Sequence, residues 1–411
     1  ARTKDLQFEY VKMKVKPQEY GKINKLTRAL GDFGVEASLV GFMLFKILKE
    51  ASSENVVDFR GGRMRFVKEP SPAVLNQVFA DLHECSYRYY FVYFSDDAVL
   101  TFWCDGMLIK VNTDIKDCDT SHTDDLIECE YRETPSFMHP YIRKTLEQLR
   151  APLRVKSYEN PKETLLLQPL RVGYEHPPCK PGMLLSSGHC ATTAIANRAN
   201  RMIMHSIACL PQIRPELLDI AAQRVGYRID CKPVEFFQDL QFLKHSPVWT
   251  CEGWVSVLNI GVFLRASGAC KGDLPGRGDL RVRARKFQSA LLQGLYPNVR
   301  NSFIDRCKAA CACPVVEDEF HDAVALQLSY SARFERTDTV YTIEDAELFY
   351  RYRANARDMS DLYTFADSDF GDSSNFPILA KILEVDYSGS TIESVRRTNT
   401  TEKFLADALR R

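Results

Sequence analysis

"FVYFSDDAVLTFWCDGMLIKVNTDIKDCDTSH", residues Phe91–His122, decides how this chain is read. Asp105-Gly106 separates two runs rich in apolar and β-branched residues. Asp-Gly between such runs is a strong hairpin signal, because the two-residue turn needs positive φ at both positions. With the turn placed there, Cys104 faces Met107 and Asp97 faces Asp114. The upstream run "YRYYFVYF" (87–94) reads as another strand, turning back at Ser95-Asp96-Asp97. A three-stranded antiparallel meander follows, with Asp96, Asp97 and Asp114 gathered at one edge. Side chains directly opposite on a sheet face lie ~4.5–5.5 Å apart, and like charges so placed repel. A hard divalent cation offsets that repulsion, and carboxylates are the donors Mg²⁺ prefers. Taken singly, each acidic cluster reads first as a solvated strand end; the register is what favours a metal.

The bulk composition bounds the rest. The chain has 411 residues, 54 basic and 54 acidic, and 45% hydrophobic content. That is enough for a sizeable core in two or three subdomains. Zero formal net charge excludes a general polyanion sponge but allows a local basic groove. No signal peptide and no apolar run of ~18 residues is present, so the chain reads as soluble. Thirteen cysteines in no framework spacing point to a reduced, intracellular protein. Cys307, Cys311 and Cys313, with His321 beyond, read as small helical residues rather than a zinc site, since no paired CxxC occurs.

Other stretches carry chemistry. "PGMLLSSGHCATTAIANRAN" (181–200) places Ser187-Gly188 before a helical run bearing Thr192 and Asn197. Glycine allows close backbone approach to a ligand, and the polar side chains can cap a helix or bond a ribose. "YVKMKVKPQEYGKINKLTRALGDFG" (10–34) alternates Lys12, Lys14 and Lys16 on one strand face, with Lys22, Lys25 and Arg28 after them. This suits a triphosphate or, alone, a solvated amphipathic strand. Residues 36–52 and 214–233 read as helices, with Lys232 at the end of a helix-loop-strand, and 240–249 as a strand pair or turn. Arg281, Arg283, Arg285 and Lys286 run from a loop into a helix; they track an RNA backbone or form an exposed structural face. The acidic stretch 358–374 reads as a solvated loop.

Together these pieces resemble the motifs of viral RNA-dependent RNA polymerases over about residues 10–250. The basic segment 12–28 resembles motif F. Ser95-Asp96-Asp97 resembles motif C, and Asp114 with Asp119 the D-x4-D of motif A. Ser187, Gly188 and Thr192 match the SGxxxT of motif B. Segments 214–233 and 241–247 resemble motifs D and E. The order C, A, B is that of the permuted polymerases of birnaviruses and permutotetraviruses. One departure lies in motif B: Ala196 stands where the family's asparagine follows the threonine by four, and Asn197 is one later, a step that counting from Thr193 restores.

The resemblance implies an α+β right-hand polymerase with an antiparallel, RRM-like palm sheet. Residues 1–80 would be a fingers part with motif F, 81–125 palm, 126–180 a fingers insertion, 181–250 palm and 251–411 thumb. It implies template-directed ribonucleotidyl transfer by two Mg²⁺ or Mn²⁺ ions, held by Asp114, Asp96 and Asp97. Lys12, Lys14, Lys25 and Arg28 would meet the triphosphate. Lys232, with Arg228 as competitor, would protonate the leaving group. Asp119, Ser187, Gly188, Thr192 and Asn197 would bind the nucleotide. Asp119 replaces the aromatic gate of reverse transcriptases, so ribonucleotides are expected. Partners would be an RNA template and nascent strand, and another viral protein or chain segment completing the fingers. The setting would be a replication complex in the host cytoplasm, or the virion interior. The competing classes are a reverse transcriptase-like palm enzyme and a non-enzymatic viral RNA-binding or structural protein, which would show no divalent-ion dependence.

Overall fold

A computed structural model describes residues 11–15, 29–35, 38–39, 41–43, 46, 55–68, 70–122, 124–156, 162–167, 191–267, 274–328, 339–368, 370 and 373–387. Two compact units are formed. The first runs up to Glu235, and the second takes Phe236 onward together with Glu69–Ala80. Segment 241–247 therefore belongs to the second unit.

In the first unit, β1 (Val11–Val15) pairs antiparallel with β2 (Ala29–Asp32). β3 (Val56–Phe59) and β4 (Gly62–Phe66) form a hairpin. β5 (Tyr89–Phe94), β6 (Asp97–Cys104) and β7 (Met107–Ile115) form the antiparallel meander read from the sequence. β8 (Leu153–Lys156) and β9 (Thr164–Leu167) extend β1 into a four-stranded sheet ordered β2-β1-β8-β9. β10 (Ile229–Pro233) closes a six-stranded sheet ordered β10-β7-β6-β5-β4-β3, in which only β4 and β5 run parallel.

The sequence explains the central strands. All six residues of β5, YYFVYF, are buried, as befits a strand covered on both faces. The β6–β7 turn has Asp105 at φ 51° and Gly106 at φ 79°, the geometry an Asp-Gly hairpin turn requires. Its register is Cys104 with Met107 and Asp97 with Asp114, as expected. On one face Phe91, Tyr93, Leu100, Phe102 and Val111 pack with Ala199, Ile203, Met204 and Ile207 of the helix Thr192–Ala208. Burying each larger side chain contributes ~1.5–3 kcal/mol. Arg88 ties the helix's end to the sheet, donating to the carbonyls of Ala208, Leu210 and Pro211 at 3.0, 2.5 and 3.2 Å. Those acceptors have no partner within the helix.

The second unit contains the hairpin β11 (His245–Thr250) and β12 (Gly253–Leu258), and helices that include Ile260–Ser267, Leu280–Leu295, Ser302–Ala310, Ala356–Asp367 and Pro377–Asp386. Phe263, Leu291, Phe303, Leu362 and Ile382 share one core. Cys307 and Cys311 are buried in it.

Several expectations are corrected. Segment 214–233 is not one helix. A short helix, Leu218–Gln223, ends before Gly226, whose φ is 87°, and Ile229–Pro233 pairs with β7 instead. The stretch 358–374 is not a loop over its first ten residues. Asn355 and Asp358 form a capping box, and Leu362, Phe365 and Ala366 bury one face, so Ala356–Asp367 is helical. Three of the four basic residues near 281–286 serve the fold. Arg283 donates to the Leu274 carbonyl at 3.0 Å, Arg285 donates to the Ala310 carbonyl, and Lys286 pairs with Glu317. Within 36–52, the described residues 38, 39, 41–43 and 46 are helical. No helix among the described residues is long and apolar enough to cross a membrane.

Candidate active site

The hairpin register builds the site. Asp97 stands opposite Asp114, and Asp114 stands opposite Asp230 on β10. Partners in register share a sheet face, so three aspartates form a row across three adjacent strands. Asp114 is exposed and Asp97 half-buried. Asp96, exposed, lies in the turn that joins β5 to β6 beside Asp97.

That turn is strained and held. Ser95 has φ 56°, a region L side chains seldom adopt. The Ser95 N–H donates to Asn197 Oδ1 at 2.6 Å, and Asn200 Nδ2 donates to the Ser95 carbonyl at 2.6 Å. The two asparagines are three residues apart on one helix, hence on one side of it. They grip both peptide groups of the residue preceding Asp96. Their helix buries its apolar stripe against the sheet, so packing aims the clamp.

After β7 the chain turns sharply. Asp117 takes φ 48° and precedes the helical turn Cys118–Ser121, which carries Asp119. Ser121 Oγ donates to the carbonyls of Lys116 and Asp117 at 3.0 and 2.9 Å. Burial raises the Cys118 thiol, and the nearby carboxylates of Asp96, Asp119 and Asp114 raise it further. His122 Nδ1 lies 3.0 Å from the Tyr227 hydroxyl, and its Nε2 lies 3.8 Å from Cys118 Sγ. Burial pushes His122 down to about 3, so its imidazole is neutral.

The strand register and the asparagine clamp thus bring Asp96, Asp97, Asp114 and Asn197 together, and Asp119 lies on the helical turn after β7. Thr192 is the first residue of the helix that carries Asn197. Lys232 lies on β10 opposite Asn112, two residues from Asp230 on the same face, and is exposed. Arg228 is engaged by Asp219, Nε to the two carboxylate oxygens at 2.9 and 3.3 Å. Lys12 and Lys14 lie on β1 of the other sheet, opposite Asp32 and Leu30. Lys25, Arg28, Ser187 and Gly188 lie outside the described residues.

Sequence reading missed Asp230, Lys116, Asn200 and the Cys118–His122–Tyr227 contacts. Asn200 had a signal, its helical spacing from Asn197. Asp230 had none, because only the pairing of β10 with β7 brings it there.

Among the described residues, no group of three or more His, Cys, Asp or Glu side chains is gathered closely enough to hold a metal ion. The donors suit Mg²⁺ nonetheless: opposed carboxylates, half-buried and exposed. Mg²⁺ is commonly bound by one or two carboxylates plus substrate phosphates rather than by an all-protein cage.

The solved structures similar to this chain include the following two. One is described as the X-ray structure of the birnavirus VP1-VP3 complex, the other as the RNA polymerase VP1 from Infectious Pancreatic Necrosis Virus. They are 11% and 10% identical, each with a TM-score of 0.48 over 98% of this chain. The match spans 62% of each of those chains. No family model matches the sequence, and no curated protein matches it.

Proposed function

We propose that this chain is a viral RNA-dependent RNA polymerase whose palm motifs run C, A, B. The observation that carries the reading is the in-register opposition of Asp97 and Asp114, with the Ser95-Asp96 turn clamped by Asn197 and Asn200 of the helix Thr192–Ala208. A solvated strand end needs no such clamp. A phosphoryl-transfer site does, because positioning and electrostatics supply most of the rate.

In this reading the six-stranded sheet is the palm. Asp114 and Asp96, with Asp97 in support, would hold two Mg²⁺ or Mn²⁺ ions, which when bound supply charge neutralisation at the transferring phosphate. Asn197 and Asn200 keep the Asp96 backbone in place. Asp119 accepts a hydrogen bond from the 2′-hydroxyl that marks RNA. The Asn197 side-chain oxygen bonds Ser95, so its NH₂ is the group left to face a ribose. Thr192, Ser187 and Gly188 would bind the nucleotide, as the motif resemblance implies. Lys12, Lys14, Lys25 and Arg28 neutralise the triphosphate. Lys232 delivers a proton to the leaving pyrophosphate, a role typically worth ~10²–10⁴-fold. The partners are an RNA template, its nascent strand, ribonucleoside triphosphates and a viral protein or chain segment that completes the fingers. The setting is a cytoplasmic replication complex or the virion interior.

The test is radiolabelled ribonucleotide incorporation on a primed homopolymer RNA with Mg²⁺ or Mn²⁺. Extension by the wild type is expected, with loss of at least ~10³-fold in Asp96→Ala and Asp114→Ala, the several kcal/mol that metal clamps supply. No metal-dependent extension, together with a melting temperature insensitive to Mn²⁺, would sink the reading in favour of a structural protein.

A further inference from the structure

The row Asp97, Asp114, Asp230 presents an incoming nucleotide with charge of its own sign. A triphosphate therefore needs a cation at this end of the sheet. Lys116 stands there. It follows Asp114 by two residues, just past the end of β7 at Ile115. The Lys116 N–H donates to the Arg228 carbonyl at 2.9 Å, which continues the β7–β10 ladder past Ile115. Lys116 Nζ lies 2.8 Å from an Asp230 carboxylate oxygen, and Asp230 faces Asp114.

The pair is open to water. The Lys116 and Asp230 side chains are 37% and 51% exposed. Ion pairs so exposed are weakly held and readily exchanged. A polyphosphate, with several charges and strong acceptor oxygens, competes well against one carboxylate.

The neighbouring cations are placed differently. Arg228 is built into its turn, because the Asp219 carboxylate that grips it also accepts the Ile229 N–H at 2.8 Å. Lys232 faces Asn112, toward the middle of the strands. Lys116 is at the end where the Ser95-Asp96 turn and Asp119 converge.

We propose that Lys116 is a nucleotide-binding residue that leaves Asp230, its partner in the nucleotide-free chain, for the triphosphate of an incoming ribonucleotide. This rests on the polymerase reading. The alternative is a strut that only joins β7 to β10. A strut treats its two ends alike, so removing either one has the same effect. A transferable cation does not: losing Lys116 weakens nucleotide binding, whereas losing the competing carboxylate leaves binding equal or tighter.

The experiment is equilibrium binding of ATP and GTP to the intact chain with Mg²⁺, which needs no turnover, alongside incorporation kinetics. Lys116→Gln should weaken binding and raise KM about tenfold or more, the scale of a charge-assisted hydrogen bond. Lys116→Arg should restore most of that loss, and Asp230→Asn should bind as tightly as the wild type or tighter. If Lys116→Gln binds nucleotide like the wild type, the proposal is wrong and the polymerase reading stands. Equal weakening in Lys116→Gln and Asp230→Asn, with equal losses in melting temperature, would identify a strut and also overturn it. A wild type that binds neither nucleotide and incorporates none overturns both.

Discussion

Asp386 and Asp114 are both aspartates beside other charged groups, and the two units treat them in opposite ways. In the second unit Asp386 is buried and fully engaged. Arg351 Nε reaches it at 3.0 Å, the Tyr352 hydroxyl at 2.7 Å and the Gly261 N–H at 2.9 Å. Gly261 is what lets it approach, since a Cβ there would lie 2.6 Å from the carboxylate. Arg351 in turn donates to the Asp239 carbonyl at 2.8 Å. In the first unit Asp114 is exposed, between two other aspartates. A charge surrounded by fitted partners is a structural joint. Asp97, Asp114 and Asp230 face one another across adjacent strands, beside a turn held by two asparagines, and like charges so opposed repel. That is the pattern expected of the proposed ligand site.

The comparison can be broken most directly at Asp386. Asp386→Ala should cost about 3–5 kcal/mol in denaturant unfolding, because it strands a buried guanidinium. Asp114→Ala should stay within about 0.5 kcal/mol of the wild type. Similar losses in the two variants would erase the distinction.

Acid tests both units together. Burial lowers His122 to about 3 in the first unit and His245 to about 4 in the second. Each folded value lies below the unfolded value of 6.5, so the unfolded chain binds more protons as pH falls. Their stabilisation is complete above pH 6.5 and is withdrawn as pH falls toward 3 and 4. Each histidine should remove about 1.4 kcal/mol per pH unit between pH 6.5 and 4.5. His122→Asn/His245→Asn should flatten that slope; an unchanged slope would mean that neither histidine is buried neutral.

The clamp comes next. Asn197→Ala and Asn200→Ala should each cost about 1–3 kcal/mol by leaving a Ser95 peptide group unpaired. Both should slow ribonucleotide incorporation by up to ~10²-fold through displacement of the turn. Normal incorporation in both variants would show that the clamp does not position Asp96. The smallest effect sharpens the contrast most. Asp114→Asn should stabilise the metal-free chain by about 0.2–1 kcal/mol, through relief of like-charge opposition, while abolishing incorporation. A destabilised Asp114→Asn would show that the row is not under repulsion.

Much of the site was legible because its signals are local. Asp105-Gly106 dictates a turn, a turn dictates a register, and the register sets Asp97 against Asp114. Asn197 could be placed on a helix but not given its partner, since Ser95 lies 102 residues away in sequence. Lys116 and Asp230 were not legible as a pair, because a strand at 229–233 gains its neighbour only when the sheet assembles. The helix Ala356–Asp367 was misread because its acidic surface hid a capping box and a buried stripe.

The sequence by itself determined the meander, its register and the crowding of acids at one end, because these follow from backbone preferences over a few residues. Tertiary structure alone decided which helix grips the turn, which lysine answers the acids and which aspartate completes the row. Those contacts join segments about a hundred residues apart, and only packing of the apolar faces between them selects one arrangement.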